Sequence, residues 1–282
     1  MKLAAIQMTS GADVAENLAM ARSYVNEAAL VGADLVVLPE NFSLMARRHS
    51  DRLRAAGAED NVRTFLSTLA SQQQLVLVGG SVPLPAAENR VTNTCLVYGP
   101  DGSCLARYDK MHLFDVELKD GESYSESRYI EPGANLVTVD ALSTRIGVTV
   151  CYDIRFPELY RDLSRQGAEI LTVPSAFTMP TGKAHWDVLL RARAIENLSW
   201  VVAPAQTGEH PGRSTWGHSM IISPWGEVVA EKVTDTGPIV AEADLTELRK
   251  LRKHFPSLEH RRLYPIKRRR PRAGQHSFSG AQ

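Results

Sequence analysis

Three side chains stand where strand-like segments of the sequence end, and together they could perform nucleophilic hydrolysis. Glu40 follows the apolar segment 34–38 and a proline, and Cys151 follows the segment 145–150. Lys110 lies at the exit of a third strand-like segment. A carboxylate can take the proton of a thiol, and a nearby ammonium favours the thiolate and stabilises a developing oxyanion. These residue types predict a cysteine-dependent hydrolase, provided that the fold brings them together.

Cys151 occupies a predicted turn between a strand and a helix. Pro157 suits the first turn of the helix that follows. Such a turn exposes a nucleophile and directs backbone N–H groups toward its reaction centre. The alternative is a small buried apolar cysteine, and we expect Cys95 and Cys104, in mid-strand positions, to be of that kind.

Each of the other residues also has a structural alternative, because spacing in a sequence does not establish proximity. Glu40 and Lys110 could be ordinary surface charges. Other hydrolase motifs are absent: the sequence has no G-x-S-x-G, H-E-x-x-H, C-x-x-C or P-loop pattern. A cysteine–histidine pair stays open, but nothing in the sequence selects among His112, His185 and His218 as the partner.

Composition excludes several classes of partner. The 282 residues include 32 basic and 32 acidic side chains, so the net charge gives no reason to expect nucleic acid. No segment approaches the roughly 18 consecutive apolar residues of a membrane-spanning helix. Three cysteines and no secretion signal predict a cytoplasmic protein. A basic segment, 265–282, is predicted to be a disordered tail, with binding to an anionic partner as the alternative.

The segments that must position these residues alternate between strand and helix patterns. Alternation of this kind, with hairpins, predicts an α/β sandwich with mixed sheets. A long loop is expected over residues 112–132, and loops of that length in compact domains are usually functional. The predicted strands are 2–8, 34–38, 75–78, 145–150, 169–173 and 200–205; the predicted helices are about 14–28, 61–73, 157–166 and 184–197; and the predicted hairpins are 92–98 with 103–108 and 218–223 with 227–231.

Three segments, taken in order, resemble the signatures of a known superfamily. LPE at 38–40, YDKMHLF at 108–114 and CYDIRFPE at 151–158 resemble the Glu, Lys and Cys motifs of the nitrilase, or carbon–nitrogen hydrolase, superfamily. The resemblance covers residues 2–264. Further segments resemble the Nit branch of that superfamily: TGKAHW at 181–186, RARAIEN at 191–197, WGHSM at 216–220 and PWG at 224–226.

The resemblance implies an α/β fold of a specific kind, a four-layer αββα sandwich forming one carbon–nitrogen hydrolase domain over residues 1–264. It implies a homodimer, or a higher homo-oligomer, and neither a metal nor an organic cofactor. Glu126 matches the family's second glutamate, which helps to hold the catalytic lysine and the substrate. Without the resemblance, Glu126 would be interpreted as a surface acid of the loop.

The implied reaction is amide hydrolysis, with Glu40 as general base and Cys151 as nucleophile. The oxyanion would be bound by Lys110 and the backbone N–H of Tyr152. A glutamate suits the role of base in a pocket poor in water, so we expect Glu40 to be buried. The expected substrate-binding residues are Tyr152, Arg155, Phe177 and Thr178.

Within the branch, the motifs are most similar to amidases that act on deaminated glutathione, a metabolite-repair reaction that releases 2-oxoglutarate and Cys-Gly. Such substrates carry a carboxylate, so a cation should line the pocket. Arg155 is the nearest candidate, although an ion pair with Glu158 or a place at a subunit interface is the alternative; of Arg191 and Arg193, at most one should reach the pocket. An ω-amidase acting on 2-oxoglutaramate, a carbamoyl-amide hydrolase and a non-catalytic scaffold are the other hypotheses.

Overall fold

A computed structural model describes residues 1–262 apart from residues 88, 118–122 and 211. The predicted domain boundary at residue 264 and the basic segment 265–282 lie outside the described residues. Within the described part, the helices are α1 (Val14–Leu30), α2 (His49–Ala56), α3 (Glu59–Gln73), α4 (Pro157–Arg165), α5 (Met179–Asn197) and α6 (Leu245–His254), with 3-10 turns at Glu126–Arg128 and Cys151–Arg155.

The strands of the described residues form two large sheets and two small hairpins. They are β1 (Lys2–Gln7), β2 (Leu35–Val37), β3 (Val76–Val78), β4 (Val82–Pro85), β5 (Val91–Tyr98), β6 (Cys104–Asp109), β7 (Asp115–Glu117), β8 (Ser123–Ser125), β9 (Val137–Ala141), β10 (Thr144–Val148), β11 (Ile170–Thr172), β12 (Trp200–Ala203), β13 (Thr207–His210), β14 (Arg213–Trp216), β15 (Ser219–Ile222), β16 (Val228–Lys232) and β17 (Gly237–Glu242).

The first sheet has the strand order β17-β1-β2-β3-β5-β4, with β6 also paired to β5, and the second has the order β16-β15-β12-β11-β10-β9. In each sheet three central strands are parallel, β1-β2-β3 and β10-β11-β12, and the flanking strands are antiparallel. The short hairpins are β7–β8 and β13–β14. The parallel strands of each sheet therefore end at one edge, where side chains from several strands can meet.

Alternation along the strands explains the layers. In β1, Leu3 and Ala5 pack in a core that includes residues of the second sheet, such as Ile146, while Ala4 and Ile6 pack against α1 and α3. The helices α4 and α5 contact the second sheet through β10, β12 and β15. The result is helix, sheet, sheet, helix, so the predicted αββα sandwich is confirmed.

Several predicted elements are confirmed and others needed correction. The helix predicted over about 14–28 is confirmed as α1, which Asp13 caps by accepting hydrogen bonds from the N–H groups of Ala15 and Glu16. The segment expected as a loop over 112–132 contains the β7–β8 hairpin and a 3-10 turn; its strands are polar and short, so they lack the apolar alternation that identifies a strand. Cys104 is exposed rather than buried, because β6 pairs with β5 alone.

Candidate active site

Glu40 is held at the exit of β2 by a tight approach between two chain segments. Gly80, just beyond β3, has φ +52° and lies so near the main chain that an added Cβ would come within 2.1 Å of the carbonyl oxygen of Pro39. Only glycine fits there. Asn41 also has a positive φ of +56°, and its N–H donates to Ser81 Oγ over 3.0 Å. The turn directs Glu40 inward, where its side chain is 3% exposed.

Lys110 joins two carboxylates inside the protein. Its Nζ donates to Glu40 Oε1 and to Glu126 Oε2, both over 2.9 Å, and its side chain is 1% exposed. Asn93 Nδ2 also donates to Glu40 Oε1 over 3.0 Å. The backbone N–H of Phe114 donates to Glu126 Oε2 over 2.9 Å, which fixes the second glutamate. The structure therefore brings three of the predicted residues into one hydrogen-bonded cluster.

The charge state of Lys110 follows from these neighbours. Burial lowers the pKa of the ammonium, but the charges of Glu126 and Glu40 outweigh it and hold the pKa well above its ordinary value. Lys110 is consequently a permanent cation at working pH. It can donate hydrogen bonds to a developing negative charge, but it cannot serve as the base.

Cys151 lies at the start of the 3-10 turn that follows β10, with a positive φ of +49°. Non-glycine residues rarely adopt this conformation, and it is found at sites where a side chain must be presented in a fixed direction. The backbone N–H of Cys151 donates to the carbonyl of Pro174 over 2.8 Å. Burial and the charge of Glu40 raise the thiol pKa well above its usual range, and Lys110 offsets only part of this. The thiol therefore rests protonated.

A buried carboxylate that the sequence interpretation did not single out ties the lysine segment to the cysteine turn. Asp153 is fully buried and accepts from Tyr108 Oη over 2.7 Å and from the N–H of Val150 over 2.8 Å. His112 also lies on Asp153, with its Nδ1 at 2.7 Å and its backbone N–H at 3.2 Å. Tyr108 and His112 flank Lys110, so this network fixes the spacing between Lys110 and Cys151.

These groups line one cleft, whose empty space, together with the solvent at its mouth, is about 330 Å³. All eight residues predicted for the site line it, and no histidine of the described residues does, which leaves the alternative of a Cys–His pair without support. Lining residues that sequence reasoning missed are Phe114, Ala176, Thr181 and Arg213. The predicted residues that line the cleft are Glu40, Lys110, Glu126, Cys151, Tyr152, Arg155, Phe177 and Thr178.

Arg155 lies over the rings of Tyr152 and Phe177, at 5.7 and 5.5 Å from their centroids. Its Nη1 is 3.3 Å from His185 Nδ1. No carboxylate within the described part of the chain forms an ion pair with Arg155. The alternative that Arg155 is paired with Glu158 is therefore wrong. Stacking on two rings orients the guanidinium while leaving its charge available.

The other two arginines considered from the sequence do not line the cleft. Arg193 is buried and donates from Nε to the carbonyl of Ile154 over 2.9 Å, and from Nη1 to Glu196. Arg191 donates to the carbonyl of Gly226 over 2.9 Å. Both are used to hold α5 against neighbouring segments.

The hairpin β13–β14 forms one wall of the cleft. The N–H of Trp216 donates to the carbonyl of Phe177 over 2.9 Å, and Thr215 is bridged to Thr178. Arg213 lies two residues before Thr215 on the same strand and lines the cleft. Among the described residues, the side chain of Arg213 forms one polar contact, between its Nη2 and Met45 Sδ at 2.8 Å. This leaves a second guanidinium in the cleft without a carboxylate partner.

A sandwich with a thiol, a carboxylate and an ammonium converging on one cleft defines a class of cysteine hydrolase. The Carbon-nitrogen hydrolase family model matches residues 2–253, which is most of the chain. The chain therefore belongs to the carbon–nitrogen hydrolase family.

Two relatives and one solved structure show which members of the family this chain resembles. The chain is 45% identical over 264 residues to the deaminated glutathione amidase of Synechocystis sp., covering 92% of this chain and 97% of the relative. It is 35% identical over 276 residues to the omega-amidase NIT2 of Homo sapiens, covering 96% and 99%. The C. elegans NitFhit protein superposes with a TM-score of 0.85 at 38% identity, over 93% of this chain and 65% of that longer chain.

Two features are absent from the described residues. No group of three or more His, Cys, Asp or Glu side chains there is arranged to hold a metal ion. Within the same residues, no helix combines the length and apolar character needed to cross a membrane.

Proposed function

We propose that this chain hydrolyses the amide bond of deaminated glutathione, releasing 2-oxoglutarate and Cys-Gly. The observation that carries the proposal is the cleft in which Cys151 adjoins the Glu40–Lys110–Glu126 cluster. The likeness to a deaminated glutathione amidase over 92% of the chain supports the choice of substrate.

In the first half of the proposed reaction, Glu40 takes the proton from Cys151 as sulfur attacks the amide carbonyl. The high pKa of the thiol makes this transfer part of the attack. The negative charge that develops on the carbonyl oxygen is met by Lys110 and by the backbone N–H of Tyr152. The C–N bond then breaks as Glu40 returns the proton to the departing amine, leaving a thioester on Cys151 and free Cys-Gly.

In the second half, Glu40 takes a proton from water, and the resulting hydroxide attacks the thioester. The C–S bond breaks, and the proton held by Glu40 returns to the sulfur of Cys151. The acid product is 2-oxoglutarate, and the enzyme regains its starting state. Glu126 keeps Lys110 in place through both halves, since it shares the ammonium with Glu40.

The substrate carboxylate next to the keto group is assigned to Arg155. Its guanidinium lines the cleft and lacks an ion pair among the described residues. Phe177 fixes this guanidinium by stacking, and Thr178 contributes a hydroxyl that lies 2.8 Å from that of Thr181. We propose that Tyr152, Phe177 and Thr178 form the wall against which the acyl group lies.

A second candidate is ω-amidase activity on 2-oxoglutaramate. The 35% identity to omega-amidase NIT2 over 96% of the chain favours keeping it. The same residues would act, and ammonia would leave in place of Cys-Gly.

The test is a side-by-side measurement of 2-oxoglutarate release from deaminated glutathione and from 2-oxoglutaramate. The proposal expects a kcat/KM at least about tenfold higher for deaminated glutathione, because additional substrate contacts in the transition state raise this ratio. A preference for 2-oxoglutaramate would move the chain to the second candidate. Absence of turnover with both would reject the two assignments together.

We also propose a homodimer, as the resemblance implies. Val188 and Ile195 lie seven residues apart on α5 and are exposed, and so are Trp225 and Phe255, whose rings contact each other. Exposed apolar groups of this kind mark contact surfaces. Light scattering that returned the monomer mass would contradict the dimer.

A cytoplasmic location is proposed because the three free cysteines suit a reducing compartment, and cell fractionation would test it.

A further inference from the structure

The cleft contains more positive charge than the reaction centre uses. Its charged lining consists of Lys110, Arg155 and Arg213 against Glu40 and Glu126. Lys110 is committed to both glutamates at 2.9 Å. Arg155 and Arg213 form no ion pair with any residue of the described part. Half-buried charges without a partner are costly in a protein, and a ligand of opposite charge offsets that cost.

The two free arginines lie on different elements of the cleft. Arg155 ends the 3-10 turn that begins at Cys151, while Arg213 lies on β14 and contacts Met45 from the segment after Glu40. Arg213 is fixed by the β13–β14 hairpin and by its contact with Met45, whereas Arg155 is fixed by the rings of Tyr152 and Phe177. The two guanidinia therefore reach the cleft from different segments of the chain.

A third arginine reinforces the charge beside Arg213. Arg52 on α2 lies near Arg213, and burial together with the charge of Arg213 lowers the pKa of its guanidinium, although the charges of Glu126 and Asp51 act in the opposite direction. No ion pair involving Arg52 occurs within the described residues. Two arginines that repel one another beside a cleft provide a positive potential that an incoming carboxylate would relieve.

We propose that Arg213 is a specificity-determining residue that binds a second carboxylate of the substrate, on the leaving-group side of the scissile amide. This inference rests on the proposed function and deepens it. Deaminated glutathione carries one carboxylate beside the keto group and another on the glycine of Cys-Gly. The first is assigned to Arg155 and the second to Arg213. The smaller 2-oxoglutaramate has only the first, so Arg213 separates the two substrate classes.

The experiment compares deaminated glutathione with its analogue in which the glycine carboxylate is converted to an amide. Wild-type protein should favour the acid over the amide by about 10- to 100-fold in kcat/KM, the range expected for one charge-assisted contact. Arg213→Met should lose most of that preference, mainly through KM, and Arg213→Lys should keep part of it. Arg22→Met is the matched control, since Arg22 is also half-buried but packs over Phe65 outside the cleft; it should retain the full preference.

The inference is overturned if Arg213→Met discriminates between acid and amide as strongly as wild type while its melting temperature is unchanged. The proposed function is judged separately, by the turnover of wild-type protein on the unmodified substrates. Should wild type turn over neither, calorimetry with the Cys151→Ala protein still decides the inference. The inference is supported if deaminated glutathione binds at least about tenfold more weakly to the double variant with Cys151→Ala and Arg213→Met than to Cys151→Ala alone. It is rejected if Cys151→Ala does not bind deaminated glutathione, or if both variants bind it equally.

Discussion

The charged side chains at the centre of the cleft are paired with one another, whereas those of its arginine-lined wall, Arg155 and Arg213, are not. At the centre, Lys110 and Glu40 are 1% and 3% exposed and satisfy each other, with Glu126 completing the cluster. At the wall, Arg155 and Arg213 are partly open to the cleft, and each lacks a carboxylate partner among the described residues. Charges paired within a protein hold geometry, while unpaired charges are available to a ligand.

This difference assigns separate tasks to the two regions under the proposed function. The centre is preorganised, so changes there should lower kcat with little effect on binding. The wall recognises the substrate, so changes there should raise KM. Mutations that break the centre are therefore expected to have the largest effects, and changes at the wall the smallest.

The largest effect is expected from Cys151→Ala and from Glu40→Gln. Each should lower kcat by at least about 1000-fold, because the first removes the nucleophile and the second removes the base that the high-pKa thiol requires. Steady-state assays would measure the loss, and calorimetry should show that deaminated glutathione still binds. Cys104→Ala is the matched control, since Cys104 is exposed on β6 and should retain wild-type activity. Normal turnover by Glu40→Gln would remove Glu40 from the mechanism.

A smaller effect is expected at Asp153, which acts by position. Asp153→Asn replaces a carboxylate that accepts from Tyr108, His112 and the N–H of Val150 by an amide with only one acceptor oxygen. We expect kcat to fall about 10- to 100-fold, since small displacements of reacting groups cost this much, and KM to change less than about threefold. Tyr108→Phe removes a single hydrogen bond and should lose less. A rise in KM with unchanged kcat would show that Asp153 shapes the substrate-binding wall instead.

The sequence predicted the residues of the centre and Arg155 of the wall, but it missed Arg213 and the contacts of Asp153, for a physical reason. The strands that carry Glu40 and Cys151 are buried apolar runs, and the turns after them need particular residues, so local patterns and motifs identify both. Arg213 lies on a hairpin of polar residues whose place is set by bonds to Phe177 and Met45, distant in the chain. Gly208 and Gly212, which both have positive φ, were the local signals from which the turns of this hairpin could have been predicted. Asp153 lay inside a recognised motif, but its contacts with Tyr108 and His112 depend on the tertiary fold.

Lowering the pH should weaken substrate binding at the arginine-lined wall before it changes the protonation of the reaction centre. His210, buried beside Arg213 on the β13–β14 hairpin, has Nδ1 2.8 Å from the carbonyl of Ser10 and Nε2 2.6 Å from Thr215 Oγ1. Burial, with a smaller contribution from Arg213, lowers its pKa below the ordinary value, although Ser10 and Glu209 act in the opposite direction. The unfolded state then binds a proton more readily than the folded state, so the contribution of His210 to stability is present above about pH 6.5 and is lost as pH falls.

The centre should be insensitive in the same interval, because the raised pKa of Lys110 keeps its proton in place. We expect KM for deaminated glutathione to rise several-fold as the pH falls well below about 6.5, as protonated His210 loosens the hairpin that positions Arg213. His210→Gln retains one donor and one acceptor but cannot be protonated in this range, so its KM should vary less with pH. Hydrogen exchange of residues 207–216 should accelerate at low pH in wild type and not in the variant. Identical pH profiles of KM in the two proteins would show that the wall does not respond through His210.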